Sequence, residues 1–398
     1  MAAHLASHAP SVLTEANVVA ATKKLIPQVL AAREECEALR HVPSSLVQAL
    51  AATGVLQMYL PRAMGGPELP PLAVFYAVEE ISRADGSIGW CTMLSTAISS
   101  LMGWLDADAG RAMAGSPANM RTAGSIRPLG RARRVEGGYR LEGRWDFASG
   151  VNHANWLLTP CVIWEGDKPL CAPTGAPRVR SFFVAAENAT ILDTWHVLGL
   201  RGTGSHDFTI ADVFVPESRS FHTDEPQRQP GVLYDPRLHI TWVWTATVAN
   251  AVGIARGALD VFGELAGKKA STTSTALLRD RPLVQSRYAE AEAILSAARA
   301  YLVSAIGNLW TRASRGERDL DAAVAQARLA ITHGMHEAAR SVDLVFHAAG
   351  TNAIYEKNAL ERYFRNIHVA VQHAAGLPPH MEAAGKALLG LRPTDPGW

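Results

Sequence analysis

Apolar residues recur at three- and four-residue spacing from residue 13 to about residue 105, as in Val18, Val19, Leu25, Ile26, Val29 and Leu30, and this period predicts helices. Pro43-Ser44-Ser45 reads as the capping signal of a second helix, and Pro61-Arg-Ala-Met-Gly-Gly-Pro67 as punctuation between helices. Between about Met120 and Phe221 the texture changes. Short runs at 139–143, 156–159 and 181–184, separated by Gly, Pro and Asn, predict the strands of a compact β domain. After Leu238 the helical period returns at about 239–267, 283–315, 319–349 and 357–374, and short turns between long helices predict an antiparallel four-helix bundle.

A helical, β, helical order is an α+β arrangement. It is not a nucleotide-binding α/β pattern, because strands and helices do not alternate and no GxGxxG follows a strand. The zones divide the chain at 1–118, 119–228 and 229–398, with no internal repeat and no low-complexity linker.

Composition narrows the partners. The chain has 398 residues, 48% hydrophobic and 19% charged, enough to bury a sizeable core. A net charge of +1 with dispersed basic residues gives no field for nucleic acid, so a small molecule is the expected partner. Cys36, Cys91, Cys161 and Cys171 form no CxxC pair, which indicates neither a zinc site nor a disulfide framework and points to a reducing cytoplasm. No stretch reaches the roughly 18 apolar residues of a spanning helix, and no export signal is visible, so no membrane association is expected.

Four segments can carry chemistry. In Arg83-Ala-Asp-Gly-Ser-Ile-Gly-Trp90, Asp85 can end one helix and Ser87 cap the next, with Trp90 inside it as a core or pocket residue. In Gly143-Arg-Trp-Asp-Phe-Ala-Ser-Gly150, strand alternation places Trp145, Phe147 and Ser149 on one side. A hydroxyl beside two aromatics can hydrogen-bond a planar heteroaromatic ring, although a half-buried strand reads the same way. Asp193-Thr-Trp-His-Val-Leu-Gly-Leu-Arg-Gly-Thr-Gly-Ser205 is a tight polar turn leading into a strand. In the helix ending at Gly376, Arg365, Val369, Gln372 and His373 share a face. His373 in the last turn is expected to be held by the helix dipole in its protonated form, with a pKa close to working pH. Arg131, Arg133 and Arg134 read as an exposed turn, His196 and His206 as loop histidines, and His333 with His336 as a helix face without a metal-binding carboxylate set. No GxSxG, HExxH or P-loop is present.

In order along the chain, Pro61-Arg-Ala-Met-Gly-Gly, the Arg83–Trp90 segment, Trp145-Asp-Phe-Ala-Ser-Gly, Trp195-His-Val-Leu-Gly-Leu-Arg-Gly-Thr-Gly-Ser, Val213-Phe-Val-Pro and Arg362-Tyr-Phe-Arg-Asn resemble the acyl-CoA dehydrogenase superfamily from about residue 15 to 393. The resemblance implies an N-terminal helical domain, a central β-barrel domain and a C-terminal four-helix bundle, assembled as a homotetramer with flavin between β domain and bundle. It implies that Phe147 and Ser149 hold the flavin near N5, that Ser125 lies along its polar edge, and that Arg365 belongs to the cofactor site. The dehydrogenases often carry a catalytic glutamate at the position of Ala374, and here His373 stands beside it instead. That histidine is similar to the one in two-component flavin monooxygenases of this fold, including 4-hydroxyphenylacetate and hydroxylated-steroid hydroxylases. Three departures stand out: Leu94, Ser95 and Thr96 where phenol hydroxylases tend to place a second histidine, Asn366 after Arg365, and no pyrophosphate-binding arginine around Ser271.

The implied reaction uses reduced flavin (FMNH2 or FADH2) from a separate NAD(P)H-dependent flavin reductase. O2 forms a C4a-hydroperoxyflavin that hydroxylates a small aromatic or polycyclic substrate. Ser149 and His373 are the implied catalytic residues, with Trp90, Ser95 and Thr96 lining the substrate pocket and no metal. N- or S-oxygenation, acyl-CoA dehydrogenation and a non-catalytic scaffold are the alternatives.

Overall fold

The computed structural model describes residues 13–115, 120–270 and 275–393; the 118/119 boundary and Ser271 lie outside the described residues. The first zone folds as α1 (Val18–Leu39), α2 (Ser44–Thr53), α3 (Pro71–Ala84), α4 (Gly86–Ser100) and α5 (Ala107–Ala114). The capping expectations are corrected in two places. Ser44 already lies inside α2, and Pro43 before it has no side chain that can cap. Asp85, not Ser87, caps α4: its carboxylate accepts the backbone N–H of Ser87 at 2.9 Å and of Ile88 at 3.0 Å.

The central zone comprises β1 (Thr122–Gly124), β2 (Gly130–Val135), β3 (Gly138–Trp145), β4 (Trp156–Leu158), β5 (Cys161–Glu165), β6 (Lys168–Pro169), β7 (Val179–Ala185), β8 (Thr190–Leu192), β9 (Asp207–Pro216) and β10 (Ser220–Phe221). The strands form one hydrogen-bonded path, β1-β4-β7-β5-β2-β3-β9-β8, with β6 on β5 and β10 on β7. Pairs β1/β4 and β2/β5 are parallel. Trp145 anchors this zone, stacked on Phe208 at 5.3 Å and donating its indole N–H to the Pro160 carbonyl at 2.9 Å. Arg131, Arg133 and Arg134 lie along β2 rather than on a turn.

The third zone holds α6 (His239–Ala266), α7 (Pro282–Ser314), α8 (Asp321–Ala349), α9 (Ala359–Ala370) and α10 (Pro379–Leu388). The first three match the expected bundle helices closely. The fourth stops at Ala370, several residues short of the expected end, which leaves His373 outside the helix.

The two helical zones, separated in sequence, share one apolar core that runs from Val29, Phe75 and Ile88 to Trp242, Leu302 and Val342. Gly253 and Gly257, one turn apart on α6, lay its bare backbone on α3: a Cβ at either position would sit 2.4 Å from a carbonyl oxygen, of Glu79 or of Arg83. The β zone has its own core around Trp145 and Phe208, and a third cluster with Ile98, Trp104, Leu158 and Phe183 joins α4 to the sheet. The junction of α4, the sheet and α6 is where the candidate site lies. Among the described residues no helix is long and apolar enough to cross a membrane, and no group of three or more His, Cys, Asp or Glu side chains could hold a metal.

Candidate functional site

The expected alternation through residues 145–149 ends at Trp145. Phe147 adopts a left-handed backbone, φ 56°, which is rare for a bulky side chain and reverses the chain. Phe147 is thereby 62% exposed, edge-on to Trp195, whereas Ser149 turns inward and is 5% exposed.

Ser149 Oγ accepts the indole N–H of Trp90 at 3.1 Å and lies 2.6 Å from Ser205 Oγ, which lies 2.6 Å from Thr203 Oγ1. Thr203 Oγ1 lies 2.8 Å from the Leu200 carbonyl, which can only accept. Each hydroxyl has one proton, so the direction of the whole chain is fixed. Thr203 donates to Leu200, Ser205 to Thr203, and Ser149 to Ser205. Ser149 therefore keeps a lone pair, but no proton, for a further partner. The glycine-rich turn supplies this chain: Leu200 and Gly204 take left-handed conformations around the 3-10 turn Arg201–Thr203. The buried Asn366 amide oxygen accepts the Leu200 N–H at 2.7 Å and pins the turn to α9 without burying a charge.

His373 joins the group from the C-terminal zone, its ring edge-on to Trp90 at 5.6 Å. The helix-dipole expectation is overturned. His373 has extended backbone, φ −62° and ψ 150°, and begins a 3-10 turn over Ala374–Gly376. Its Nδ1 accepts the Ala375 N–H at 3.2 Å, which leaves the proton on Nε2. Burial pushes its pKa down to about 4, so the ring is neutral at neutral pH. His336 donates from Nε2 to the Gly376 carbonyl at 2.8 Å and holds this turn from α8.

A cavity of about 1340 Å³ opens beside His373. His373, Ala374 and Ile126 belong to its wall, whereas Trp90, expected to line the substrate pocket, does not. Helix α4 presents Leu94, Ala97 and Ile98 to it, and α6 presents His239, Val243 and Trp244. Ser95 and Thr96 face elsewhere: Ser95 bonds Thr122, and Thr96 Oγ1 donates to the Val55 carbonyl at 3.1 Å. Arg365 is also away from the cavity, tied to Glu361, to Glu37 at 3.0 Å and to the Leu198 carbonyl at 2.8 Å. Ser125 is buried, and its Oγ accepts the Arg127 N–H at 3.2 Å while keeping its proton. The Arg127–Asp146 ion pair links the Ser125 turn to the Phe147 turn, and Ile126 and Phe147 on these turns are exposed. His239 and Trp244 were missed in the sequence, where the segment from 239 was read only as a bundle helix; their signal is a histidine and two tryptophans within six residues.

Not every conspicuous histidine belongs to this site. His206 is buried and its Nδ1 accepts the N–H groups of Thr194 and Trp195, both at 3.2 Å. Burial pushes His153 and His239 down to about 4, as it does His373. Unfolded, each would bind its proton near the ordinary 6.5. Their contribution to stability is thus complete above that value and is lost as the pH falls toward 4, at on the order of 1 kcal/mol per pH unit per histidine. Urea unfolding at pH 7 and pH 5 is expected to show a lower midpoint at pH 5; equal midpoints contradict the burial of these rings.

Residues 14–106 match the acyl-CoA dehydrogenase N-terminal domain and residues 245–377 the C-terminal domain. The indole-3-acetate monooxygenase of Acinetobacter baumannii is 30% identical over 90% of each chain. The chain belongs to the acyl-CoA dehydrogenase family. The flavin-dependent monooxygenase oxygenase subunit HsaA of Rhodococcus jostii is 29% identical over 93% of this chain and 98% of its own. The crystal structure of the HsaA monooxygenase from M. tuberculosis superposes with a TM-score of 0.86 at 27% identity, covering 97% of this chain and 100% of that one. Within the acyl-CoA dehydrogenase family the chain is a flavin-dependent monooxygenase, as the ordered motifs and His373 led us to expect. Ala374 lines its cavity with a methyl group where the resemblance to dehydrogenases called for a carboxylate.

Proposed function

We propose that the chain is the oxygenase component of a two-component system. A separate NAD(P)H-dependent reductase delivers FMNH2 or FADH2, and the chain uses it with O2 to hydroxylate a small aromatic or polycyclic compound. The observation that carries this reading is the packing of Trp90 against both Ser149 and a neutral His373, with His373 at the wall of a large cavity and Ala374 beside it in place of a carboxylate base. The names of the relatives, which include a resorcinol hydroxylase oxygenase component, support it. A dehydrogenase would need a base to remove an α-proton, and the methyl group of Ala374 disfavours it.

The residues fit a flavin. Ile126 and Phe147 offer exposed apolar surface for a planar ring, and the buried hydroxyls of Ser125 and Ser149, one and two residues away in sequence, have complementary polarity. Ser125 can donate to a ring carbonyl, and Ser149 can only accept, which suits the N5–H of reduced flavin better than the bare N5 of the oxidised form. When bound, reduced flavin supplies the electrons that activate O2 for transfer of one oxygen atom. Trp90 fixes Ser149, and His373 presents its Nε2–H to the substrate side, where it orients the substrate or hands over a proton. The α4 and α6 walls present mainly apolar side chains, among them Leu94, Ile98, Ile240 and Val243. We assign a homotetramer, working in the cytoplasm where reduced nicotinamide is made.

Titration with FMN tests this reading. The native chain is expected to bind reduced FMN more tightly than oxidised FMN. Ser205→Ala, which frees the Ser149 proton, is expected to shrink that ratio about 5- to 10-fold, the worth of one hydrogen bond. Binding of neither form, or an unchanged ratio in Ser205→Ala, contradicts it.

A further inference from the structure

His239 is almost buried, lines the cavity, and has no part in the chemistry above. Its protonation is fixed by its neighbour. Ser100 Oγ lies 2.5 Å from the Ala97 carbonyl, which can only accept, so the single hydroxyl proton of Ser100 is held there. The same Oγ lies 2.7 Å from His239 Nε2 and must accept from it. Nε2 therefore carries the ring proton, and Nδ1 is a bare lone pair. Burial pushes the pKa down to about 4, which keeps the ring in this neutral form at neutral pH. Trp104 packs edge-on at 4.9 Å and fixes the plane of the imidazole.

Nδ1 has no hydrogen-bond donor among the described residues, yet it is not among the buried atoms sealed from solvent. The ring lines the cavity together with apolar neighbours that include Ile98, Leu101 and Val243. An acceptor presented in an apolar pocket favours a ligand that brings a donor and disfavours an isostere that lacks one.

We propose that His239 is a specificity-determining residue whose Nδ1 accepts a hydrogen bond from the phenolic O–H or ring N–H of the aromatic substrate, with Ser100 as the positioning residue that sets its tautomer. The proposal rests on the reading of the cavity as the substrate pocket of an oxygenase. The cavity then holds two neutral histidines of opposite character, His373 donating from Nε2 and His239 accepting at Nδ1.

Indole and benzothiophene are probes of nearly the same shape, and only indole carries a donor. Calorimetric titration of the full chain is expected to give about ten-fold tighter binding of indole. His239→Leu is expected to abolish that preference while leaving benzothiophene affinity near the native value, and Ser100→Ala to reduce the preference with His239 in place. Equal affinities in the native chain, no binding of either probe, or parallel weakening of both probes in His239→Leu overturns the proposal. Reduced FMN titrated into the same native sample separates the two readings: an indole preference without reduced-flavin binding refutes the oxygenase and leaves recognition at His239 standing.

Discussion

Replacing His373 with alanine is expected to lower product formation by about 10²- to 10⁴-fold, the usual worth of one positioned proton donor, while peroxide release rises. The expectation follows from the state of the ring. Its Nδ1 is occupied by the Ala375 N–H, and burial keeps it neutral, so Nε2–H is the group it offers to the reaction. Without it, activated oxygen loses the group that orients or protonates the reacting atoms, and returns to solvent as peroxide. The fold is expected to survive, because the turn at Ala374–Gly376 is also held by His336 and by the Thr332 hydroxyl on the Ala375 carbonyl. The readout is product formed per O2 consumed; an unchanged ratio removes His373 from the reaction.

Arg365→Ala is expected to destabilise the fold by about 2–3 kcal/mol, between the ranges for a surface and a fully buried ion pair. The guanidinium is paired with Glu361 and Glu37, and all three side chains are at most 17% exposed. Its removal leaves Glu361 without this partner and Glu37 with only Arg201, at 3.6 Å, and it also releases the Leu198 carbonyl, just before the turn that carries Thr203 and Ser205. Urea unfolding at pH 7 measures the effect. A loss below about 1 kcal/mol would place Arg365 among ordinary surface pairs.

The zones of the fold were legible because each kept its own hydrophobic period over many turns. Three of the four bundle helices end within a few residues of the expected positions for that reason. The fourth was read too long because Val369, Ala370 and Val371 continue a helical composition, whereas the chain unwinds there to put His373 beside Trp90. The alternation through Phe147 failed in a similar way. A left-handed phenylalanine is a decision of the tertiary structure, made where Ala148 and Gly150 donate their N–H groups to the His206 and Thr203 carbonyls.

The shared core of the two helical zones was not legible, since a hydrophobic period shows which face is buried but not against what. The spacing of Gly253 and Gly257 was the visible trace of that contact. Motif order singled out Ser149, Trp90 and His373, and the structure packs Trp90 against both of the others. It does not bring Ser95 and Thr96 into the cavity, because on α4 the residues at 94, 97 and 98 share the face that lines it. Composition could not reveal Ser205, Thr203 or Ser100 as partners. Their importance lies in which atom holds each proton.

The central claim is that this chain transfers one atom of O2 to an aromatic molecule at the expense of reduced flavin. The direct measurement supplies reduced flavin from an unrelated NADH-dependent reductase, under isotopically labelled O2, with a panel of phenols and indoles, and weighs the products. A product heavier by one labelled oxygen atom is predicted. A product lacking two hydrogens and carrying no label, or return of all the O2 as peroxide with every member of the panel, would contradict it.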